Sequence, residues 1–218
     1  MKKRSLIAAV LLILFTTITI NLKIVGSKFN LKVVNIENNF LLDEKEIKEL
    51  LDPIYNENLI FLKNSKIANL LTKNTFIESF KINKKYPSTL KIKIFEKKPI
   101  AILLNKKEKF YLSEKIDLIE FKNFPNYQNL PHVIGNKEEF KILYDNLIKM
   151  NFPFNKIKKY TLYKASRWDL ETKNSNIIKL PSQNYIKSLK NYLDLEGKNA
   201  FKKYKVFDYR IINQLILK

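Results

Sequence analysis

Fifteen consecutive residues, Leu6 to Ile20, carry no charge, and Lys2, Lys3 and Arg4 stand just before them, with only Ser5 between. A helix crossing the hydrocarbon core of a bilayer needs roughly 20 mostly apolar residues. Leu22, Ile24 and Val25 extend the run, and Lys23 can snorkel to the interface. The sequence thus predicts a transmembrane helix over 6–25 behind a short tail of residues 1–5. A cleaved signal peptide has the same basic start and a similar apolar length. Cleavage needs small residues in an Ala-x-Ala-like arrangement, and Ile24-Val25-Gly26-Ser27-Lys28 offers only a poor one. The anchor is therefore favoured, with the N-terminus held in the cytoplasm by its basic residues and the rest exported.

The rest of the chain, about 190 residues, is long enough for one large domain or two small ones. Hydrophobic residues make up 45% of the chain, enough for a packed core. There is no cysteine, which excludes disulfides, thiol catalysis and cysteine metal sites. The net charge of +20 raises the question of nucleic acid. The lysines are scattered rather than clustered, and Lys, Asn and Ile are abundant together, which A/T-rich codons explain. A basic exported domain also suits an anionic membrane surface. Neither nucleic acid nor a small-molecule substrate is expected. The single histidine, His132, follows Pro131 in what reads as a turn; with one histidine and no cysteine, neither a zinc site nor a Ser-His-Asp triad is expected. Three glycines in all exclude a phosphate-cradling loop. No catalytic, cofactor-binding or metal-binding residues are assigned, and an enzyme is not expected.

Leu31 to Glu37 reads as a strand, and Asn38-Asn39 as a turn. Asp43 with Glu46 resembles a capping box, opening a helix with Ile47, Leu50, Leu51 and Ile54 on one stripe. Asn64 or Ser65 caps a second helix burying Ile67, Leu70 and Leu71. Strands follow at Phe76–Lys84 and Leu90–Ile94, joined by Tyr86-Pro87-Ser88; the second alternates apolar and basic residues, one face in and one out. This is a β-α-α-β-β unit over 29–98 with both helices on one face. Over 99–218 the pattern predicts a mixed α/β domain with a mostly antiparallel sheet, the whole chain being α+β. Its expected parts are a hairpin at Ile100–Leu104 and Phe110–Leu112, a break at Leu130–Gly135, a helix over Lys137–Met150, strands at Ile157–Tyr163, Arg167–Thr172 and Ile177–Leu180, a helix over Gln183–Leu193 and a final strand from Lys203.

Asn38-Asn39, Tyr86-Pro87-Ser88-Thr89-Leu90-Lys-Ile and Phe95-Glu96-Lys97-Lys98-Pro99-Ile-Ala101, in this order, resemble the POTRA domain of the FtsQ/DivIB bacterial cell-division family. Asn38 stands where that family often has glycine, and Lys97 where it has arginine. In the second half, Leu130-Pro131 with Gly135, Arg167-Trp168-Asp169-Leu170, Ile178-Lys179-Leu180-Pro181 and Phe207-Asp208-Tyr209-Arg210 are similar to later family motifs. Ser113 and Ile116 depart from the family's Asp and Gly after the aromatic strand, so that turn is expected to differ in shape. The resemblance implies a bitopic scaffold of the bacterial inner membrane at the division septum, its periplasmic domain recruiting partners resembling FtsB and FtsL. A membrane-anchored envelope hydrolase and a POTRA chaperone for outer-membrane proteins are the alternatives.

The last strand, if nothing covers it, presents free N–H and C=O groups to another chain. In the FtsQ family this C-terminal region captures FtsB. The partner-binding residues expected on that edge are Val206, Phe207, Tyr209, Arg210, Ile211, Ile212 and Leu215. The lysines at Lys202, Lys203 and Lys205 stand before this stretch and would guard only its start.

Overall fold

A computed structural model describes residues 2–17, 26–106, 108–211 and 213–218. The first helix, α1 (Lys2–Thr17), holds 16 residues of the basic start and apolar run. Among the described residues no helix is long and apolar enough to cross a membrane. Residues 18–25 of the expected span lie outside those described. Packing divides the chain into two compact units, Met1–Glu96 and Lys97–Lys218.

In the first unit, β1 (Val33–Glu37) leads through α2 (Glu44–Leu50) and α3 (Asn64–Leu71) to the hairpin β2 (Ile77–Lys85) and β3 (Thr89–Glu96). The strand order is β1-β3-β2, with β1 parallel to β3 and β2 antiparallel to it. Parallel pairing of β1 and β3 requires a crossover, and the two helices supply it. Leu90, Ile92 and Ile94 are buried on β3, whereas Lys93 between them is exposed. Ile47, Leu51 and Ile54 after β1 and Ile67 and Leu71 of α3 are likewise fully buried. Each such side chain contributes about 1.5–3 kcal/mol.

Two polar devices close this unit. Asn38 takes the left-handed backbone at φ 66°, and its Nδ2 donates to the Ile94 carbonyl at 2.7 Å. The Glu96 carboxylate accepts the N–H groups of Phe40, Leu41 and Leu42 at 2.8–3.1 Å. Asp43 caps α2 as expected, accepting the Lys45 N–H at 3.1 Å. Glu46 is tied to another element as well: its carboxylate accepts from Asn74 Nδ2 at 2.8 Å. α3 starts differently from the expectation, because Lys63 is its N-cap residue and no side chain caps it.

The second unit is built on one sheet with strand order β12-β11-β10-β9-β8-β7-β4-β5-β6 among the described residues. In chain order these are β4 (Pro99–Asn105), β5 (Glu108–Ser113), β6 (Leu118–Glu120), β7 (His132–Ile134), β8 (Ile157–Tyr163), β9 (Arg167–Thr172), β10 (Ile177–Lys179), β11 (Val206–Asp208) and β12 (Ile216–Leu217). Helix α4 (Lys137–Lys149) connects β7 to β8, and α5 (Tyr185–Glu196) connects β10 to β11. Five of the strand pairs are antiparallel and three, β4–β7, β7–β8 and β10–β11, are parallel. The two helices are the crossovers that β7–β8 and β10–β11 need.

A single apolar row crosses this sheet in register. Leu103 faces Val133, which faces Tyr160, then Leu170, Ile178, Phe207 and Leu217. Phe140, Leu143 and Leu147 of α4 and Leu189 and Tyr192 of α5 pack on it. Trp168, two residues before Leu170 on the same face, is buried in that core, and its ring meets Phe140 edge-on at 6.1 Å.

His132 is not in a turn. It opens β7, paired to Ile102 on one side and Lys159 on the other. Leu-Pro before the strand and Gly135 after it are break signals, and three residues leave no periodicity to read. Parallel neighbours on both sides supply the stability that so short a strand lacks. At the departure from the family pattern, Ile116 occupies the left-handed region at φ 61° although it is β-branched and buried. Ser113 Oγ holds that turn, accepting the Lys115 and Asp117 N–H groups at 3.2 and 3.0 Å.

Candidate functional site

The residues expected from sequence to bind a partner lie at the C-terminal end of the second unit. β11 is shorter than the predicted strand because Asp208 bends the chain out of the ladder. Its Oδ1 accepts the Arg210 N–H at 3.1 Å, while Arg210 Nη2 reaches Oδ2 at 2.6 Å. This side-chain acceptor competes with strand pairing, as Asp does at turns. The chain turns through Asn213, left-handed at φ 61°, and returns as β12, antiparallel to β11.

β11 is therefore an interior strand, with β10 on one side and β12 on the other. This corrects the expectation that one final strand from Lys203, carrying Val206 to Leu215, forms the exposed edge. Phe207 is 1% exposed and its ring stands edge-on to Tyr192 at 4.9 Å, so it serves the core and has no surface to offer. Val206 is half-buried and pairs with Lys218. Ile212 lies outside the described residues.

The edge itself is β12. Val206 N–H donates to the Lys218 carbonyl at 3.0 Å, and Lys218 N–H donates back at 3.1 Å. The next pair, Phe207 with Leu217, is then of the non-hydrogen-bonded kind. The N–H and C=O of Leu217 consequently point away from β11, and among the described residues no strand pairs with that side. Leu217 and Leu215 keep half-buried side chains against the core, while Ile216 is 38% exposed.

Beside the edge runs a groove of about 1040 Å³ between the start of α5 and the 209–215 loop. Tyr209, Arg210, Ile211 and Leu215 line it, so the structure brings together four of the residues expected from sequence. Its opposite wall, which includes Pro181, Asn184, Lys187 and Asn191, was not read from the sequence as functional. Tyr209 Oη donates to Asn191 Oδ1 at 2.9 Å and locks the loop to α5; burial raises its pKa. Lys187 and Lys190 stand on the lining, and the described lining residues include no carboxylate. The missed signal was Asn213-Gln214 between two apolar pairs, a turn pattern.

On the sheet face opposite the helices, a charged row crosses the same strands: Asp169 faces Lys179, which faces Asp208. Asp208 is buried and held below the usual carboxylate range, first by its hydrogen bonds from Arg210. Asp169 is also buried, and there burial pushes the carboxyl up against the pull of Arg167. Arg167 Nε and Asp169 Oδ1 are buried 3.6 Å apart, each without a hydrogen bond among the described residues.

A family model described as POTRA domain, FtsQ-type, matches residues 29–97. The chain is 31% identical over 205 residues to cell division protein FtsQ of Rickettsia conorii (strain ATCC VR-613 / Malish 7), covering 91% of this chain and 76% of that protein. The chain belongs to the FtsQ cell-division protein family. Against FtsQ of Rickettsia bellii (strain RML369-C) it is 32% identical over 172 residues, 78% of this chain and 64% of that protein, so the match spans less than two thirds of that relative. The major extracytoplasmic domain of the division protein DivIB from Geobacillus stearothermophilus gives a TM-score of 0.34 at 14% identity, over 45% of this chain and 89% of that domain, too loose a likeness to bear on the fold.

Residues that resemble family motifs in the sequence hold definite places in the structure. Asn38 and Glu96, far apart in the sequence, grip the two sides of one turn-and-strand junction. A Cβ on Gly135 would meet Leu162 Cβ at 2.8 Å and Trp168 Cη2 at 3.2 Å, which ties the glycine of Leu-Pro-x-x-x-Gly to the tryptophan motif.

Proposed function

We propose that this FtsQ-family chain is a non-enzymatic scaffold of the division machinery. Residues 6–25 anchor it in the bacterial inner membrane, residues 1–5 stay cytoplasmic, and the domains over 29–98 and 99–218 work in the periplasm at the septum. Partners resembling FtsB and FtsL dock at the C-terminal end, one of them adding a strand to β12. The observation that carries this reading is the outward N–H and C=O of Leu217 beside the basic groove. A strand added there gains main-chain hydrogen bonds, and the groove gives its side chains a place. Lys187 and Lys190 favour a partner segment with carboxylates. Docking raises local concentration and fixes geometry, and no bond is made or broken.

The test is capture from envelope membranes with tagged full-length chain. Small single-pass coiled-coil division proteins should be recovered and should be lost with Lys187→Glu/Lys190→Glu. Their absence from the wild-type capture, or recovery unaltered by the charge reversals, would overturn the site.

A further inference from the structure

One end of the first unit is apolar, aromatic and basic at once, and the segment entering from the N-terminal side runs through its middle. The Phe29 carbonyl accepts the Leu59 N–H at 2.8 Å, Asn30 bridges to Asn58, and Asn58 Nδ2 donates to the Gly26 carbonyl at 3.0 Å. These bonds fasten the loop carrying Ile60 and Phe61 to residues 26–30. On the other flank, Lys32 N–H donates to the Ser88 carbonyl at 2.9 Å, and the Tyr86 ring meets Phe29 edge-on at 6.2 Å. Phe61 is 80% exposed, Tyr86 56% and Ile60 48%. A phenylalanine so exposed on a loop gains nothing for the core of its own unit. Lys28, Lys32, Lys63 and Lys85 are exposed around these side chains, and the neighbouring Glu57 is neutralised by Lys66.

We infer that this end is a lipid-facing patch: Ile60, Phe61 and Tyr86 enter the headgroup boundary of the membrane, and the surrounding lysines bind anionic lipid. The inference rests on the anchor proposed above and adds a second attachment to it. Chain length puts the patch within reach. Only the eight residues 18–25 separate Thr17 of α1 from Gly26, which limits the distance to about 30 Å even when fully extended. Aromatic and aliphatic side chains framed by lysines are the composition of interfacial binding. Lysines close to an anionic leaflet add electrostatic attraction to that burial. The charge is complementary to phospholipid phosphate, and the two exposed loops flank the strand that continues from the anchor.

The native absence of cysteine makes the experiment direct. Single cysteines are placed by Phe61→Cys, by Lys73→Cys beyond the far end of α3, and by Leu11→Cys in α1. Each full-length variant carries an environment-sensitive fluorophore and is reconstituted in vesicles of phosphatidylethanolamine and phosphatidylglycerol or of phosphatidylcholine alone. The label at position 61 should shift to the blue and lose emission to spin-labelled lipid in the anionic vesicles, whereas the label at 73 should do neither. The loss at 61 should shrink in phosphatidylcholine and with Lys28→Glu/Lys32→Glu/Lys85→Glu. Quenching at 11 with none at 61 would overturn the patch and leave the anchor standing. Quenching at neither would overturn both. A shift at 61 that instead follows protein concentration in detergent would put a second copy there and overturn the lipid assignment.

Discussion

At the scale of single residues, two buried carboxylates on one cross-strand row answer to opposite forces. Asp208 is stabilised as an anion by Arg210, so its folded pKa lies below its unfolded value of about 3.9. Its contribution is present above that value and is lost as pH falls through the folded pKa. Asp169 is raised by burial, so its carboxylate opposes folding once pH rises past the unfolded value. Asp208→Asn should therefore lower the melting temperature at pH 7, with the deficit closing towards pH 3. Asp169→Asn should raise it at pH 7, with the gain vanishing in the same direction. Melting curves across pH decide this, and two changes of the same sign would refute the account. Gly135 gives a second residue-level expectation. Gly135→Ala must push Leu162 and Trp168 aside, at a cost of about 1–3 kcal/mol. Because Trp168 is the sole tryptophan, its fluorescence should shift along with the melt; an unchanged spectrum would mean that the backbone at 135 gives way instead.

At the scale of elements, β12 turns the partner proposal into a comparison of neighbours. Ile216 pairs inward with Asp208 and Leu217 presents its N–H outward. Ile216→Pro removes an internal donor and should destabilise the end of the sheet. Leu217→Pro keeps the internal pairing and removes the outward donor. It should weaken binding by up to about tenfold, the worth of one net hydrogen bond, with a small change in melting. Equal binding by wild type and a folded Leu217→Pro would exclude strand addition there. The sequence led to this region without finding its edge. Helices and strands with several apolar positions, such as α4 and β8, were legible because their period repeats. β7 and β12 hold three and two residues, too few for any period, and exist because neighbouring strands pair with them. The Asp208 turn was hidden for a related reason: Val206 to Ile212 keeps a strand-like composition, and one side-chain hydrogen bond outweighs it. Four groove residues were found because they lie close in sequence, and the α5 wall was missed because it comes from a separate element.

At the scale of the whole molecule, the proposed anchor and docking end belong to separate parts of the chain, and a scaffold needs both. Nothing polar interrupts α1 between Leu6 and Phe15, so the helix has no stripe to mark a protein-facing side. Its expected role is confinement to the membrane, which raises the effective concentration of the docking end for partners held in the same plane. Two variants separate confinement from contact. The first replaces residues 2–25 by an unrelated single-pass segment of the same topology; the second replaces them by a cleaved export signal that releases the domains. Both should bind the purified partner within about twofold of wild type, since the docking end is untouched. In cells depleted of the native protein, the first should restore division and the second should fail. Complementation by the released form would show that tethering is dispensable. A failure of the swapped anchor, despite normal export and partner capture, would instead assign residues 2–25 a specific contact within the membrane.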